Sequence, residues 1–141
     1  MLVAGNQKII RHPLNFANLW LTMGWFLIAL VVLLSLWPMR PREVNIDHGF
    51  VIKLGHLIAY LILILWFANI YPHRRHRLWA SMGFMAMGVC LEFAQLMIPG
   101  RTFLYSDMIS NTIGVLLGLY LAKTHLATCL LRLDTWLVGF D

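Results

Sequence analysis

The chain has 141 residues, of which 60% are hydrophobic and 12% are charged, and its formal net charge is +5. Its mean hydropathy is +0.74. A soluble domain of this size has too much surface for its volume to bury so many apolar side chains, so the composition excludes an ordinary soluble domain. Four apolar stretches follow one another along the chain, each near the ~20 residues that a helix needs to cross a bilayer.

The four stretches are predicted to be transmembrane helices, and they cover residues 18–37, 51–71, 78–97 and 108–128. Lys8 and Arg11 precede the first stretch as they would in a signal peptide, but this stretch is longer than a signal's apolar core and no cleavage motif follows it. It is therefore interpreted as a retained helix. Trp20 and Trp37 lie near its two ends, where their rings are predicted to face the membrane–water interface. The predicted fold class is an all-α membrane protein with a four-transmembrane-helix bundle.

Lysine and arginine residues are unevenly divided between the two sides of such a bundle. One side holds Lys8, Arg11, Arg74, Arg75, Arg77, Lys123 and Arg132, and the other holds Arg40, Arg42, Lys53 and Arg101. Because cytoplasmic loops carry the excess of positive charge, seven residues against four predict that both termini are cytoplasmic. The same rule accounts for the basic loop after the second span, so no nucleic-acid partner is predicted.

The last segment, residues 129–141, is mostly apolar but too short to cross the membrane a fifth time. We predict that it forms an interfacial helix.

Polar residues gather in the predicted outer part of the bundle. Lys53, His56 and Tyr60 are spaced three and four residues apart, which places them on one face of the second span. Glu92 and Gln95 share a face of the third span for the same reason. An ionisable group within a membrane almost always faces the bundle interior or a water-filled cavity. These faces are therefore expected to converge.

The fourth span adds a further pair. Asp107 and Asn111 are four residues apart at its outer end, and Arg101 lies in the turn before it. For each residue alone, a bracing role by hydrogen bonding between helices remains an equal alternative. Asn111 taken alone is interpreted as structural, since it leads into Gly114 and Gly118, and this G-x-x-x-G step predicts close contact between helices.

The block KLGHLIAY, followed by LEFAQLMIPGRTFLYSDMISNTIGVLLG, resembles the VanZ-like family of small four-helix membrane proteins. The resemblance covers residues 47–123, and its motif positions are Lys53, His56, Tyr60, Glu92, Gln95, Arg101, Asp107, Asn111, Gly114 and Gly118. One position departs from the family pattern, because Ile52 stands where Asp is expected and Asp47 lies further upstream.

The resemblance implies a four-helix transmembrane domain over residues 1–128, with residues 129–141 as a separate interfacial segment. It also implies a bacterial inner membrane as the location. The family takes its name from a protein linked to teicoplanin resistance in glycopeptide-resistance clusters, which implies a role of the antibiotic-resistance type.

The first functional hypothesis is a binding site for an anionic lipid-linked or amphipathic envelope ligand. Lys53 and Arg101 would hold an anionic head group, and the planar fork of Arg101 suits such a group. Gln95 and Asn111 would orient the ligand, and Tyr60 is also predicted to be a ligand-binding residue. The predicted partner is a membrane lipid or a lipid-linked envelope precursor. A homo-oligomer through Gly114 and Gly118 is the second predicted partner.

The second hypothesis is an intramembrane hydrolase or transferase whose catalytic residues are His56, Glu92 and Asp107. Glu92 and His56 would act as acid and base on a lipid head group. Neither H-E-x-x-H nor G-x-S-x-G occurs in the chain, so no known catalytic motif supports this hypothesis. One histidine among carboxylates is also a weak metal signature, and neither a metal nor another cofactor is predicted. A small transporter is disfavoured, because the polar side chains are confined to one end.

Overall fold

The computed structural model describes residues 14–38, 46–99, 101 and 103–139, with the backbone alone for residues 46–48. Its helices are α1 (Ala17–Leu36), α2 (Ile46–Ile70), α3 (Arg74–Gln95), α4 (Tyr105–Leu121), a short 3₁₀ helix (His125–Thr128) and α5 (Cys129–Val138). No strand occurs within these ranges. The prediction of an all-α protein is therefore confirmed.

The first three predicted stretches match α1 to α3 closely, but the fourth was predicted too long. Helix α4 ends at Leu121 rather than at residue 128. The hydroxyl of Thr124 donates to the carbonyl of Leu121 and accepts from the N–H of Leu126, so it closes α4 and opens the 3₁₀ helix. Thr124 lies in a short polar segment, between Lys123 and His125, and this segment was the available sequence signal for the break.

Two helical segments, Ala17–Leu36 and Gly49–Ile70, are long and apolar enough by themselves to cross a membrane. A third span results only if Tyr105–Leu121 is counted together with His125–Val138, and these two parts are bent by 75°. Length and composition thus identify two spans and at most three within the described chain, not the predicted four. Helix α3 carries arginines at its start, and α4 has only 17 residues.

The directions of α1 and α2 are opposite. Trp66 near the end of α2 donates through Nε1 to the carbonyl of Trp20 near the start of α1. At the other end, Ser35 and His56 line one cavity between the same two helices. As residue numbers rise along α1, the numbers of the facing residues on α2 fall, so the two helices are antiparallel.

Helix α4 runs parallel to α2 and antiparallel to α3. Gly114 lies against Leu57 and Gly118 against Leu61, so residue numbers rise together along α2 and α4. Arg77 at the start of α3 donates to the carbonyl of Ala122, just past the end of α4. The four long helices therefore alternate in direction.

The two glycines allow α4 to pack directly on α2. A Cβ atom on Gly114 would overlap the carbonyl oxygen of Leu57, and one on Gly118 would overlap the side chain of Ile64. The predicted close contact at the G-x-x-x-G step is confirmed, and it lies within one chain. A contact between two copies through these glycines would have to displace α2.

The bundle interior is apolar along most of its length. Its main cluster consists of Tyr60, Leu63, Ile64, Phe67, Phe84 and Val115. The outer surface is apolar as well: Trp25, Phe26, Leu33 and Leu34 of α1 are each 61–67% exposed. A soluble monomer rarely exposes so large a contiguous apolar surface, so the outer face of this bundle suits lipid.

Asp134 of α5 closes one end of the bundle by binding the start of α1. Its carboxylate accepts hydrogen bonds of 2.6–2.9 Å from the backbone N–H groups of Asn15 and Phe16, from the Asn15 side chain, and from Trp20 Nε1. These N–H groups lie at and just before the N-cap of α1, where a negative charge is favoured by the helix dipole. Trp20 is therefore buried, and the prediction that its ring faces the interface was wrong.

The pKa of Asp134 lies below its ordinary value. Burial by itself would raise this pKa, but the hydrogen bonds from Trp20, Phe16 and Asn15 favour the charged form and outweigh burial.

Candidate functional site at one end of the bundle

Three helices each contribute two residues, one turn apart, to a two-layered cluster. The outer layer consists of His56 from α2, Glu92 from α3 and Asp107 from α4. The inner layer consists of Tyr60 from α2, Gly88 from α3 and Asn111 from α4. Residues four apart share a helix face, so each helix presents both of its residues on the same side.

The outer layer brings three ionisable side chains together. One nitrogen or oxygen atom from each of His56, Glu92 and Asp107 lies within 4.8 Å of the others. His56 Nε2 is 3.7 Å from Asp107 Oδ2, which is too long for a hydrogen bond. Glu92 and Asp107 are 1% and 4% exposed. The structure thus brings these three side chains together, as the helix periodicity predicted.

The inner layer is made possible by a glycine. A Cβ atom on Gly88 would lie 3.1 Å from Asn111 Nδ2 and 3.2 Å from Tyr60 Oη, so these two side chains fill the space beside α3. Gly88 was not singled out from the sequence. Its spacing, four residues before Glu92 on a helix with a polar face, was the available signal.

The polar atoms of the cluster have few hydrogen-bond partners. Glu92 Oε2 accepts from the Leu104 N–H at 3.4 Å, and Asp107 Oδ1 accepts from Ser106 Oγ at 3.4 Å, both long bonds. Three buried atoms, Glu92 Oε1, Tyr60 Oη and Asn111 Oδ1, have no hydrogen-bond partner in the described part of the chain. Each such atom costs about 1–3 kcal/mol. A purely bracing cluster would satisfy these atoms directly.

Two of the predicted ligand-binding residues lie near the cluster, but their hydrogen bonds go to the end of α1 rather than to the cluster. Gln95 Nε2 donates to the carbonyl and the hydroxyl of Ser35, at 3.1 and 2.8 Å. Arg101 donates through Nε to the carbonyl of Trp37 and through Nη2 to that of Leu34, which satisfies the open end of α1. Ser35 was not predicted as part of the site, because a single serine in an apolar helix carries no distinctive signal.

Lys53 lies on α2 one turn before His56 and is partly buried. It makes no hydrogen bond or ion pair with any residue that the structure describes. Ile52, which departs from the family pattern, lines a cavity beside it. The side chain of Asp47 lies outside the described residues.

A cavity of about 230 Å³ opens between α1 and α2 beside the cluster. Its walls are mainly apolar, and its polar side chains are Ser35, His56 and Arg101. Gly55 contributes to the open space, because a Cβ atom there would have no neighbour within 4 Å. His56 belongs to both the cavity and the outer layer, so it connects them.

A second cavity, of about 410 Å³, lies at the opposite end between α3 and α4. Three cationic residues line it together with apolar side chains and the ring of Tyr120; these cations are Arg74, Arg77 and Lys123. From the sequence, this basic loop was interpreted as a topology determinant, and its spatial association with the end of α4 was not predicted.

The apolar helices with a lipid-suited outer face and a buried ionisable cluster are those of a helical membrane protein. The VanZ/LLP1 family model matches residues 6–128, and the chain belongs to this family. The resemblance expected from the sequence motifs is therefore confirmed. Neither curated proteins nor solved structures provided a significant match.

Proposed function

We propose that this protein crosses the bacterial inner membrane four times and binds an anionic lipid-linked or amphipathic envelope ligand at the clustered end. The alternating helix directions support four crossings. Helices α3 and α4 have 22 and 17 residues, and at 1.5 Å per residue they are about 33 and 26 Å long, close to the ~30 Å of a hydrocarbon core.

The contact of Asp134 with Asn15 supports placing both ends of the described chain on one side of the bundle. The charge count favours the cytoplasm for that side and the extracytoplasmic face for the cluster. The bend of 75° after α4 agrees with an α5 that lies along the interface.

The observation that carries the proposal is the cavity bounded by His56 and Arg101 next to buried, unsatisfied polar atoms. Its volume of about 230 Å³ is below the ~300–1,000 Å³ of sites that enclose a whole small-molecule ligand. The cavity therefore suits a head group, and the acyl or isoprenoid chain would lie on the apolar outer surface along α1 and α2.

The residues divide into two roles in this proposal. Arg101 uses Nε and Nη2 on the end of α1, which leaves its Nη1 donors for an anion at the cavity mouth. Lys53, one turn from His56, supplies a second mobile cation. The unpartnered hydroxyl of Tyr60 can donate to the anion, whereas the unpartnered oxygen of Asn111 can only accept from a hydroxyl of the head group. Gln95 acts indirectly by holding α1 in place.

Binding is preferred to the enzymatic alternative for a geometric reason. A histidine that acts as a general base is usually oriented by a hydrogen bond to a carboxylate. His56 and Asp107 are 3.7 Å apart, so that orientation is lacking. The antibiotic-resistance role remains a proposal from the family resemblance, and it would follow if the ligand is a lipid-linked cell-wall precursor.

The test fills the cavity without touching the cluster. In Gly55→Leu the new side chain enters the open space of the cavity, while in the matched control Gly83→Leu it enters open space on α3 away from the cavity. Native mass spectrometry of the purified protein measures binding of undecaprenyl phosphate, palmitoyl-oleoyl phosphatidylglycerol and the zwitterionic phosphatidylcholine analogue.

We expect wild type and Gly83→Leu to retain the anionic lipids in preference to the zwitterionic lipid. Gly55→Leu should lose at least about tenfold in affinity, which corresponds to about 1.4 kcal/mol. Equal retention of anionic lipid by both variants would show that this cavity is not the binding site.

A further inference from the structure

We propose that His56, Glu92 and Asp107 together bind one divalent transition-metal ion of the zinc or manganese type. The inference goes beyond the proposed lipid-binding function and does not depend on it, because ion binding can be measured without lipid. From the sequence alone the single histidine argued against a metal, but the spatial arrangement adds three observations.

The first observation is the distance between the donor atoms. One donor from each residue lies within 4.8 Å of the other two. A tetrahedral zinc ion with bonds of ~2.0–2.2 Å requires donors about 3.3–3.6 Å apart. His56 Nε2 and Asp107 Oδ2 are already at 3.7 Å. Closing the widest gap takes about 1.5 Å, which side-chain rotation supplies without moving the helices.

The second observation concerns charge. Two buried carboxylates lie side by side, and neither forms an ion pair with a lysine or arginine of the described chain. Arg101, the nearest candidate in sequence, donates to carbonyls of α1 instead. Buried carboxylates are stable when they are paired or coordinate a metal. A divalent cation would compensate both at once.

The third observation is the set of unpartnered atoms. Glu92 Oε1 is buried without a donor, and the residue as a whole is 1% exposed. Tyr60 Oη and Asn111 Oδ1, in the layer beneath, are also buried and unpartnered. These two oxygens would accept hydrogen bonds from water molecules bound to the ion, as outer groups do at other metal sites.

The donor types select the class of ion. Calcium and magnesium prefer oxygen donors alone, whereas an imidazole combined with carboxylates suits zinc, manganese or ferrous iron. Three protein ligands leave a coordination position open. His56 also lines the cavity between α1 and α2, so an ion here would lie beside the proposed head-group site.

The test uses full-length, tag-free protein in detergent, in a His73→Ala/His76→Ala background. His73 and His76 are exposed at the other end with ring centres 5.7 Å apart, so they offer an adventitious site that must be removed. After treatment with a chelator and gel filtration, the protein is titrated with Co²⁺ by visible absorption, and Zn²⁺ is added in competition.

We expect one equivalent of Co²⁺ to bind and to be displaced by Zn²⁺. His56→Gln, Glu92→Gln and Asp107→Asn should each weaken binding by about 100-fold or more, because each removes a direct ligand. His125→Gln, at an exposed histidine away from the cluster, should bind as the background does.

A second variant keeps the test decisive if these substitutions impair folding. His56→Cys retains a metal ligand and should add a thiolate-to-cobalt charge-transfer band, which a structural role for His56 would not produce. The proposal is overturned if the background protein binds no stoichiometric ion, or if binding persists in all three ligand variants. Lipid retention measured after chelation separates this outcome from a failure of the lipid-binding proposal.

Discussion

His56 Nε2 lies 3.7 Å from Asp107 Oδ2, and this pair lies between α2 and α4, the two helices in most extensive contact within the described chain. The interface is parallel, and it depends on Gly114 and Gly118 lying against the backbone and side chains of α2. The position of the cluster therefore depends on how these two glycines pack against α2. Substitutions of Gly114 or Gly118 should shift α4 relative to α2 and so displace the cluster residues.

Gly114→Ala and Gly118→Ala are each expected to destabilise the protein. The new methyl group of the first variant meets the backbone carbonyl of Leu57, which cannot move without α2. In the second it overlaps Cγ2 of Ile64, a fully buried β-branched side chain with one strongly preferred helical rotamer. Overpacking of this kind costs about 1–3 kcal/mol. The unfolding midpoint of each variant in detergent, compared with that of wild type, measures the loss of stability.

Gly83→Ala is the matched control for these variants, because a Cβ atom at Gly83 has open space around it. Removing a glycine from a helix interior should leave stability unchanged or raise it by up to about 1 kcal/mol. An unfolding midpoint of Gly114→Ala equal to that of Gly83→Ala would contradict the observed helix contact.

Asp134→Asn is expected to lower stability at neutral pH by about 1–3 kcal/mol, because an amide accepts weaker hydrogen bonds than a carboxylate and presents an N–H to donors. The measurement is the unfolding midpoint near pH 7. Arg132→Gln on the exposed side of α5 is the control and should behave as wild type.

Asp134 should also make the stability of the protein depend on pH. Its folded-state pKa is below the ordinary value of 3.8, so its contribution is fully present above that value. The contribution is lost as pH falls below 3.8 through the folded pKa, because the unfolded chain binds the proton first. The stability difference between wild type and Asp134→Asn should shrink over that range. A constant difference down to the acid limit would argue against the charged contact.

Gln95→Leu separates the bracing role of Gln95 from ligand contact. The substitution removes both hydrogen bonds to Ser35 and leaves the buried Ser35 hydroxyl without this donor, so we expect a loss of about 1–3 kcal/mol. At a temperature where the variant is folded, its affinity for anionic lipid should match that of wild type. A selective loss of lipid affinity with unchanged stability would place Gln95 in direct ligand contact.

The proposed orientation predicts opposite accessibility at the two ends of α4. In a protein with Cys90→Ala and Cys129→Ala, single cysteines are placed at the exposed positions Leu104 and Lys123. A membrane-impermeant maleimide should label Leu104→Cys in spheroplasts and Lys123→Cys only after lysis. The reverse pattern would invert the topology and place the cluster at the cytoplasmic face.

The sequence predicted those parts of the site that depend on helix periodicity within a single element. The pairs His56–Tyr60, Asp107–Asn111 and the glycine step share faces by spacing alone, and their convergence follows from alternating helices. The family resemblance added the order of the motif residues, and the family match bears out the membership itself.

Contacts between distant elements could not be predicted in the same way. The attachment of Arg101 and Gln95 to α1 depends on where the carbonyls of Leu34 and Trp37 and the hydroxyl of Ser35 come to lie. The contact of Asp134 with the start of α1 depends on the break at Thr124, which turns α5 back across the bundle. Hydropathy carries no information on either, because both are set by tertiary packing.

The most direct test of the central claim is an experimental structure of the protein purified with its native lipids. We expect density for a head group in the cavity between α1 and α2, in contact with His56 and Arg101, with Glu92 and Asp107 directed toward His56. A structure in which these side chains point apart into the lipid, or in which α1 and α2 close the cavity completely, would contradict it.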